Sequence, residues 1–474
     1  MFRVLISITI ASILIIRADG KKKNENYQSL YLSPYIEKGK IEKARNLSRV
    51  ELFENYIKAK TYSGYITIDK WRRCYLFFLH IKALRDADKA PLLLWLQGGP
   101  GLSSLFGEFL EIGPLGIDGK GKLFARTTTL QQRVNVIYLD QPVGAGFSYS
   151  KGLFGYASNL ADVAKGVLLF LKQFQKMFPE YKNREFYVGG ESYGARFTVA
   201  VSHAIHSGKK PHPALNLRGV ILGAGFLGQL MSVADSSEFL YEMSMLTKKG
   251  KKSFKQKFSE MRQKVRSFFG RLAALLKLRQ TIFTSKTNPT LFQRLTGYNN
   301  QASALYSEKP ENMVQYEKYV QTEEFKRAVH VGKSVQFMKA ESKVATKLKD
   351  DYLTDISDEI QDLLQSYKVL FYTGQMDTLF PSRNLQDYFR SLNWTGAAEF
   401  RTKEPSHWKA YPNSRYVSGI VTMVGNMTEV VLLRAGHYAA VDEPDNANKM
   451  ILNFIEGSGS RWEGQDAETD SNRT

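Results

Sequence analysis

A serine stands between two glycines in Gly190-Glu191-Ser192-Tyr193-Gly194, after the apolar run "EFYV" and before a stretch that could be helical. Glycine and serine also mark ordinary turns, so the pentapeptide alone does not make Ser192 a nucleophile. Strand, sharp turn and helix together do favour that reading, because such a turn holds a hydroxyl clear of a sheet edge. An activated serine needs a histidine to take its proton and an acid to fix the histidine tautomer. In α/β hydrolases these follow the serine in the order acid, then histidine. Beyond the serine's own helix and the loop after it, the chain offers His330, His407 and His437. His437 comes directly after the apolar run "EVVLLRAG", whereas His407 lies in the polar stretch "KEPSHWK". Asp377 comes just past "LFYTG", while Asp350, Asp351, Asp355 and Asp358 share an acidic, helix-like run. Ser192, Asp377 and His437 are the expected catalytic set.

The elements that must position these residues are legible as apolar runs. "PLLLWL" (91–96), "NVIYLD" (135–140) and "EFYVGG" (185–190) read as buried strands. Between the last two, Leu160, Val163, Val167, Leu168, Leu171 and Phe174 recur at helical intervals, which makes a strand, helix, strand unit and so a parallel sheet. "YKVLFYTG" (367–374), "TEVVLLRAG" (428–436) and a helix over 446–455 resume the pattern near the other end. The expected fold is α/β-hydrolase, with a mixed, mostly parallel central sheet flanked by helices. Its two parts are predicted at 21–227 and 346–456. A helical, basic cap is expected at 228–345, and a disordered tail at 457–474.

A chain of 474 residues, 43% hydrophobic and 24% charged, is long and apolar enough to bury a large core. No cofactor or metal is implied. Residues 1–20 carry Arg3, an apolar run from Val4 to Ile16, then Ala18 and Gly20, the pattern of a secretory signal peptide. Asn-x-Ser/Thr triplets at Asn46, Asn393, Asn426 and Asn472 suit that compartment as glycosylation sites. The expected location is therefore the secretory pathway, secreted or lysosomal/endosomal. Cys74 is the only cysteine, so no intrachain disulfide forms. The formal charge of +20 is concentrated between Lys248 and Arg279, where twelve Lys/Arg face the single acid Glu260. In that stretch Phe254, Phe258, Met261, Val265, Phe268, Leu272 and Leu275 alternate at steps of four and three, which predicts one helix with one apolar stripe, interrupted by Gly270. The stripe is expected to pack on the catalytic domain with its lysines in solvent; the alternative is that the cationic face also contacts a polyanion.

Taken together, the stretches "WLQGGPG" (95–101), "GEFLEIGPL" (107–115), "NVIYLDQPVGAGFSYS" (135–150), "FPEYKNREFYVGGESYGA" (178–195), "FKRAVHVG" (325–332), "YKVLFYTGQMD" (367–377) and "AGHYAAVDEP" (435–444) resemble the serine carboxypeptidases, especially their vitellogenic carboxypeptidase-like branch. The resemblance spans nearly the whole chain. It implies Ser192 as nucleophile, His437 as base and Asp377 as orienting acid, with the backbone amides of Gly99 and Tyr193 forming the oxyanion hole. It further implies Gln97, Gly98, Glu111 and Glu191 as the site for a substrate's terminal carboxylate. Clustered carboxyl groups cannot all ionise, so the resemblance also implies a shared proton and a preference for acid. The chain departs from the family at Gln97, where most members have Asn, and at Leu102, where a disulfide cysteine is usual. The leading expectation is an exopeptidase that acts on peptide C-termini through an acyl-enzyme. Two other classes remain open on sequence grounds: a lipase or esterase of the same fold, and a carboxypeptidase-like binding protein with little turnover.

Overall fold

The computed structural model describes residues 27–457, apart from 153, 211–212 and 339–342, together with Trp462. The expected leader (1–20), Asn472 and nearly all of the expected tail lie outside the described residues. Ten strands form the path of one sheet. They are β1 (Thr61–Asp69), β2 (Cys74–Ile81), β3 (Leu92–Leu96), β4 (Asn135–Leu139), β5 (Glu185–Glu191), β6 (Asn216–Gly223), β7 (Lys368–Gly374), β8 (Ser406–Trp408), β9 (Gly419–Val424) and β10 (Met427–Leu432). Their order across the sheet is β1-β2-β4-β3-β5-β6-β7-β10-β9-β8, and the short strand Tyr149–Ser150 adds to β2. The six central strands, from β4 to β10, run parallel. The outer pairings at both ends are antiparallel. This is the mixed, mostly parallel sheet expected of an α/β hydrolase.

The continuous apolar run of β3 follows from burial on both sheet faces. Leu92, Leu94 and Leu96 belong to one core cluster, while Leu93 and Trp95, pointing the other way, belong to a second. The first core is covered by α1 (Leu160–Met177) and α2 (Tyr193–His206), which pack on each other. Asn159 caps α1 by accepting from the Asp162 N–H at 2.8 Å, and the helix buries all six apolar residues that predicted it. β1, β2, β6, β8 and β9 were not anticipated. "TYSGYITID" mixes glycine and polar residues into β1, and β8 has only three residues, so neither presents a long apolar run.

Among the described residues, no strand of the sheet lies between β6 and β7 in sequence. The basic stretch does not form the single helix its stripe predicted. It forms α3 (Lys248–Lys264) and α4 (Phe268–Ile282), because Ser267 caps a new helix by accepting from the Gly270 N–H at 3.1 Å. Gly270 therefore lies in the first turn of α4 and interrupts nothing. Phe254, Phe258 and Met261 are buried as expected, but Leu272 is 52% exposed. Later residues of the insertion join the other core. Tyr316, Tyr319 and Phe325 set their rings 6.1, 5.7 and 5.5 Å from Phe109. Ser63 on β1 donates to the Val329 carbonyl at 2.9 Å. The stretch 228–345 thus contributes to both cores rather than to a cap alone.

Candidate active site

Three parallel strands end at one edge of the sheet, and each is followed closely by one residue of the expected catalytic set. Ser192 follows β5, Asp377 follows β7 and His437 follows β10. Ser192 has φ 58° and ψ −126°, a conformation that is costly for a residue with a side chain and persists only where its surroundings hold it. Its N–H donates to the Gly223 carbonyl at 2.8 Å, and its carbonyl accepts from Ala195 and Phe226 N–H groups at 3.1 and 3.0 Å. Gly194 has no freedom to be anything larger, since a Cβ there would come within 2.2 Å of the Leu96 carbonyl. The turn after β3 is equally close. A Cβ on Gly98 would lie 2.6 Å from the Glu191 carbonyl, 2.8 Å from the Tyr193 nitrogen and 3.0 Å from Ser192 Cβ. Gly98 is therefore pressed against the serine turn. The Tyr193 N–H is the first of α2 and has no partner within its own helix.

His437 Nδ1 and Asp377 Oδ2 lie 2.8 Å apart, and both residues are almost fully buried. The other Asp377 oxygen accepts from the Leu379 and Phe380 N–H groups at 2.8 and 2.9 Å, which fixes the carboxylate. The His437 N–H donates to the Ala302 carbonyl at 2.7 Å, and the Phe380 ring stands 5.4 Å from the imidazole. His437 Nε2 is buried with no hydrogen-bond partner, which leaves it available to a proton. The two rival histidines lie elsewhere. His330 Nδ1 is 2.9 Å from Ser63 Oγ, and His407 sits on β8 at the far end of the sheet.

Gln97, Glu111 and Glu191 are buried beside the serine turn. Trp95 Nε1 donates to Gln97 Oε1 at 3.1 Å, and Gln97 Nε2 donates to Glu191 Oε1 at 3.2 Å. The indole thus sets which end of the amide faces the carboxyl. One Nε2 proton remains for another acceptor. Both oxygens of Glu111 and Oε2 of Glu191 are buried without a partner. Burial pushes the Glu111 carboxyl up to about 7. Burial, together with the Glu111 charge, holds Glu191 well above the usual carboxyl range. Such a pair keeps a proton where isolated glutamates would not.

Three contributors were missed. Tyr372 on β7 buries an unpartnered hydroxyl near the charge of Glu191. Tyr438 sets its ring 5.0 Å from Phe106, tilted, and 5.1 Å edge-on from the His437 imidazole. Arg126 donates to the carbonyls of Glu108, Gly113 and Phe109 at 3.1, 2.9 and 2.6 Å, pinning the turn that carries Glu111. Trp95 and Gln97 share the parity of one strand face, a signal that would have linked them. Nothing in the sequence connects Arg126 to its carbonyls. Of the sequons, Asn46 and Asn393 are exposed. Asn426 Nδ2, the atom a glycan would take, donates to the Leu364 carbonyl at 2.9 Å, so a glycan there would cost that bond.

Comparison with known proteins adds the relatives. The family model described as serine carboxypeptidase matches residues 52–457. The probable serine carboxypeptidase CPVL of Homo sapiens is 35% identical over 440 residues, covering 92% of this chain and 91% of its own. The venom serine carboxypeptidase of Apis mellifera is 34% identical over 434 residues, covering 91% of each chain. The vitellogenic carboxypeptidase of Aedes aegypti is 31% identical over 444 residues, covering 92% of each. Among solved structures, a prohormone-processing carboxypeptidase from Saccharomyces cerevisiae superposes with a TM-score of 0.71 over 87% of this chain and 96% of its own. At 18% identity that match bears on the fold.

Proposed function

The chain belongs to the serine carboxypeptidase family, and from that premise we propose that it releases C-terminal residues from peptides with Ser192 as nucleophile, His437 as base and Asp377 as its orienting acid. In this reading the Nδ1 proton stays on the Asp377 side, so Nε2 takes the Ser192 hydroxyl proton as Oγ bonds to the last peptide carbonyl carbon. The backbone N–H groups of Gly99 and Tyr193 receive the oxygen that becomes negative. The C–N bond then breaks, and His437 returns the proton to the departing amine of the terminal residue. Water, deprotonated by His437, hydrolyses the remaining ester and regenerates the serine.

The observation that carries the reading is the buried carboxyl pair beside the serine turn, with three unmatched oxygens and a free amide proton on Gln97. A terminal carboxylate would accept from Gln97 Nε2, from the Gly98 N–H and from whichever glutamate holds the proton. That gives the pair its acid dependence. Hydrolysis of blocked dipeptides with a free carboxyl group is expected to fall as pH rises through about 7. C-terminally amidated peptides, which need no shared proton, should fall less. Equal profiles for the two substrates would remove this role from Glu111 and Glu191. A fluorophosphonate probe that labels wild type but not Ser192→Ala identifies the nucleophile, and no labelling of wild type would favour a binding role.

Supporting the remaining parts of the reading, the apolar run near the start and the exposed sequons at Asn46 and Asn393 suit the secretory pathway, secreted or lysosomal/endosomal. Among the described residues no helix is long and apolar enough to cross a membrane. The cationic excess of 248–279 suits contact with polyanions, which retention on heparin resin would test.

A further inference from the structure

The cap carries a surface that peptide hydrolysis leaves unused. α4 buries Ala274, Leu278 and Ile282 on its inner side, yet Phe269, Leu272 and Leu276 remain 89%, 52% and 54% exposed. Steps of three and four place the exposed three on one helical face, opposite the buried one. An apolar ridge left in water is a mark of contact with something else. The residues around it are cationic. Lys264 and Arg266 precede the ridge in sequence, and Lys252 and Lys255 belong to the neighbouring α3, all of them exposed, whereas Arg271 falls at the helical angle of Leu278 and Ile282. Three acids of this region pair with its own cations: Glu260 with Lys257 and Lys277, Glu238 with Lys251, and Asp235 with Arg262.

We propose that this ridge docks on a lipid bilayer bearing anionic headgroups. Phe269, Leu272 and Leu276 would enter the boundary between headgroups and acyl chains, while Lys264 and Arg266 meet the lipid charge. The combination selects the occupant. A soluble polyanion satisfies the cations but offers nothing to three apolar side chains, whereas an anionic bilayer rewards both. The inference rests on the polyanion reading of the cap and deepens it to one surface. It does not depend on the catalytic assignment, whose failure would appear instead as absent Ser192 labelling.

Co-sedimentation of the full chain with phosphatidylcholine vesicles, with and without phosphatidylserine, tests the idea. Binding is expected to the anionic vesicles and not to phosphatidylcholine alone. The double variant Leu272→Gln/Leu276→Gln should weaken vesicle binding about tenfold or more while leaving heparin elution and peptidase activity unchanged. The double variant Lys264→Gln/Arg266→Gln should weaken both vesicle and heparin binding. All four positions are exposed, and a wild-type melting curve for each variant separates lost docking from lost folding. Three results would overturn the proposal. One is no sedimentation with anionic vesicles. Another is equal binding by wild type and the leucine variant, which reduces the cap to a polyanion contact. The last is a dimer in sedimentation equilibrium that the leucine variant abolishes, which assigns the ridge to a second copy of this chain.

Discussion

The serine turn, the aspartate and the histidine are separated by 60 or more positions, yet Asp377 and His437 stand at hydrogen-bond distance. Their bond has a checkable consequence. Asp377→Asn would present an amide where the histidine needs an acceptor, favouring the wrong tautomer. With the fold intact, kcat is expected to fall by about 10⁴-fold. Unchanged kcat in steady-state assays would free Asp377 of that role. Gln97 is proposed to serve a different part of the chemistry. Gln97→Leu leaves Trp95 Nε1 and Glu191 Oε1 unmatched and, in the proposed reading, removes a donor to the substrate carboxylate. KM for free-acid peptides should rise by roughly tenfold or more. The same variant should change KM for amidated peptides little, and an equal rise for both would assign Gln97 a purely structural part. Ser192, Asp377 and His437 could be proposed from the sequence because each follows an apolar run closely. Tyr372, Tyr438 and Arg126 were not, because their partners come from segments remote in sequence and no local pattern marks them.

Elements position these residues through contacts that tolerate little change. β3 and the start of α2 touch where Gly194 meets the Leu96 carbonyl, so Gly194→Ala must push them apart. A loss of roughly 1–3 kcal/mol in denaturant unfolding is expected, with a fall in activity beyond what the unfolded fraction explains. A variant as stable and active as wild type would show that the turn relaxes freely. In the cap, Ser267 decides where α4 begins. Ser267→Ala should cost about 1 kcal/mol of stability, and Ser267→Gly only a few tenths, as thermal melts of both can show. The error in the sequence reading came from this place. Apolar spacing alone described one continuous stripe, and a serine followed three residues later by glycine outweighed it by starting a second helix. Strands beside the parallel block were missed for a related reason, since β1 and β9 lack the uninterrupted apolar runs that burial on both faces imposes on β3.

Across the whole molecule, buried carboxyl groups tie stability to pH. Burial raises Glu108 to about 8 and Glu111 to about 7, against roughly 4.3 for an unfolded glutamate. Between those values the folded chain holds protons that the unfolded chain has released. Raising the pH therefore draws the equilibrium toward unfolding, and the contribution present below pH about 4 is lost as pH passes 7 to 8. Calorimetry should give a higher Tm near pH 5 than near pH 8, and Glu108→Gln should flatten that difference. A slope unchanged in Glu108→Gln would show that its carboxyl is not the protonated group. By itself the sequence determined the order in which Ser192, Asp377 and His437 follow their strands, the alternation of strands and helices around them, and the basic character of 248–279, because period and spacing along the chain encode each of these. Tertiary structure alone decided which glutamate oxygens lack partners, how the indole of Trp95 turns the Gln97 amide, and which apolar face of α4 stays in water. Those depend on distances between segments far apart in the chain, and no pattern within a single segment carries them.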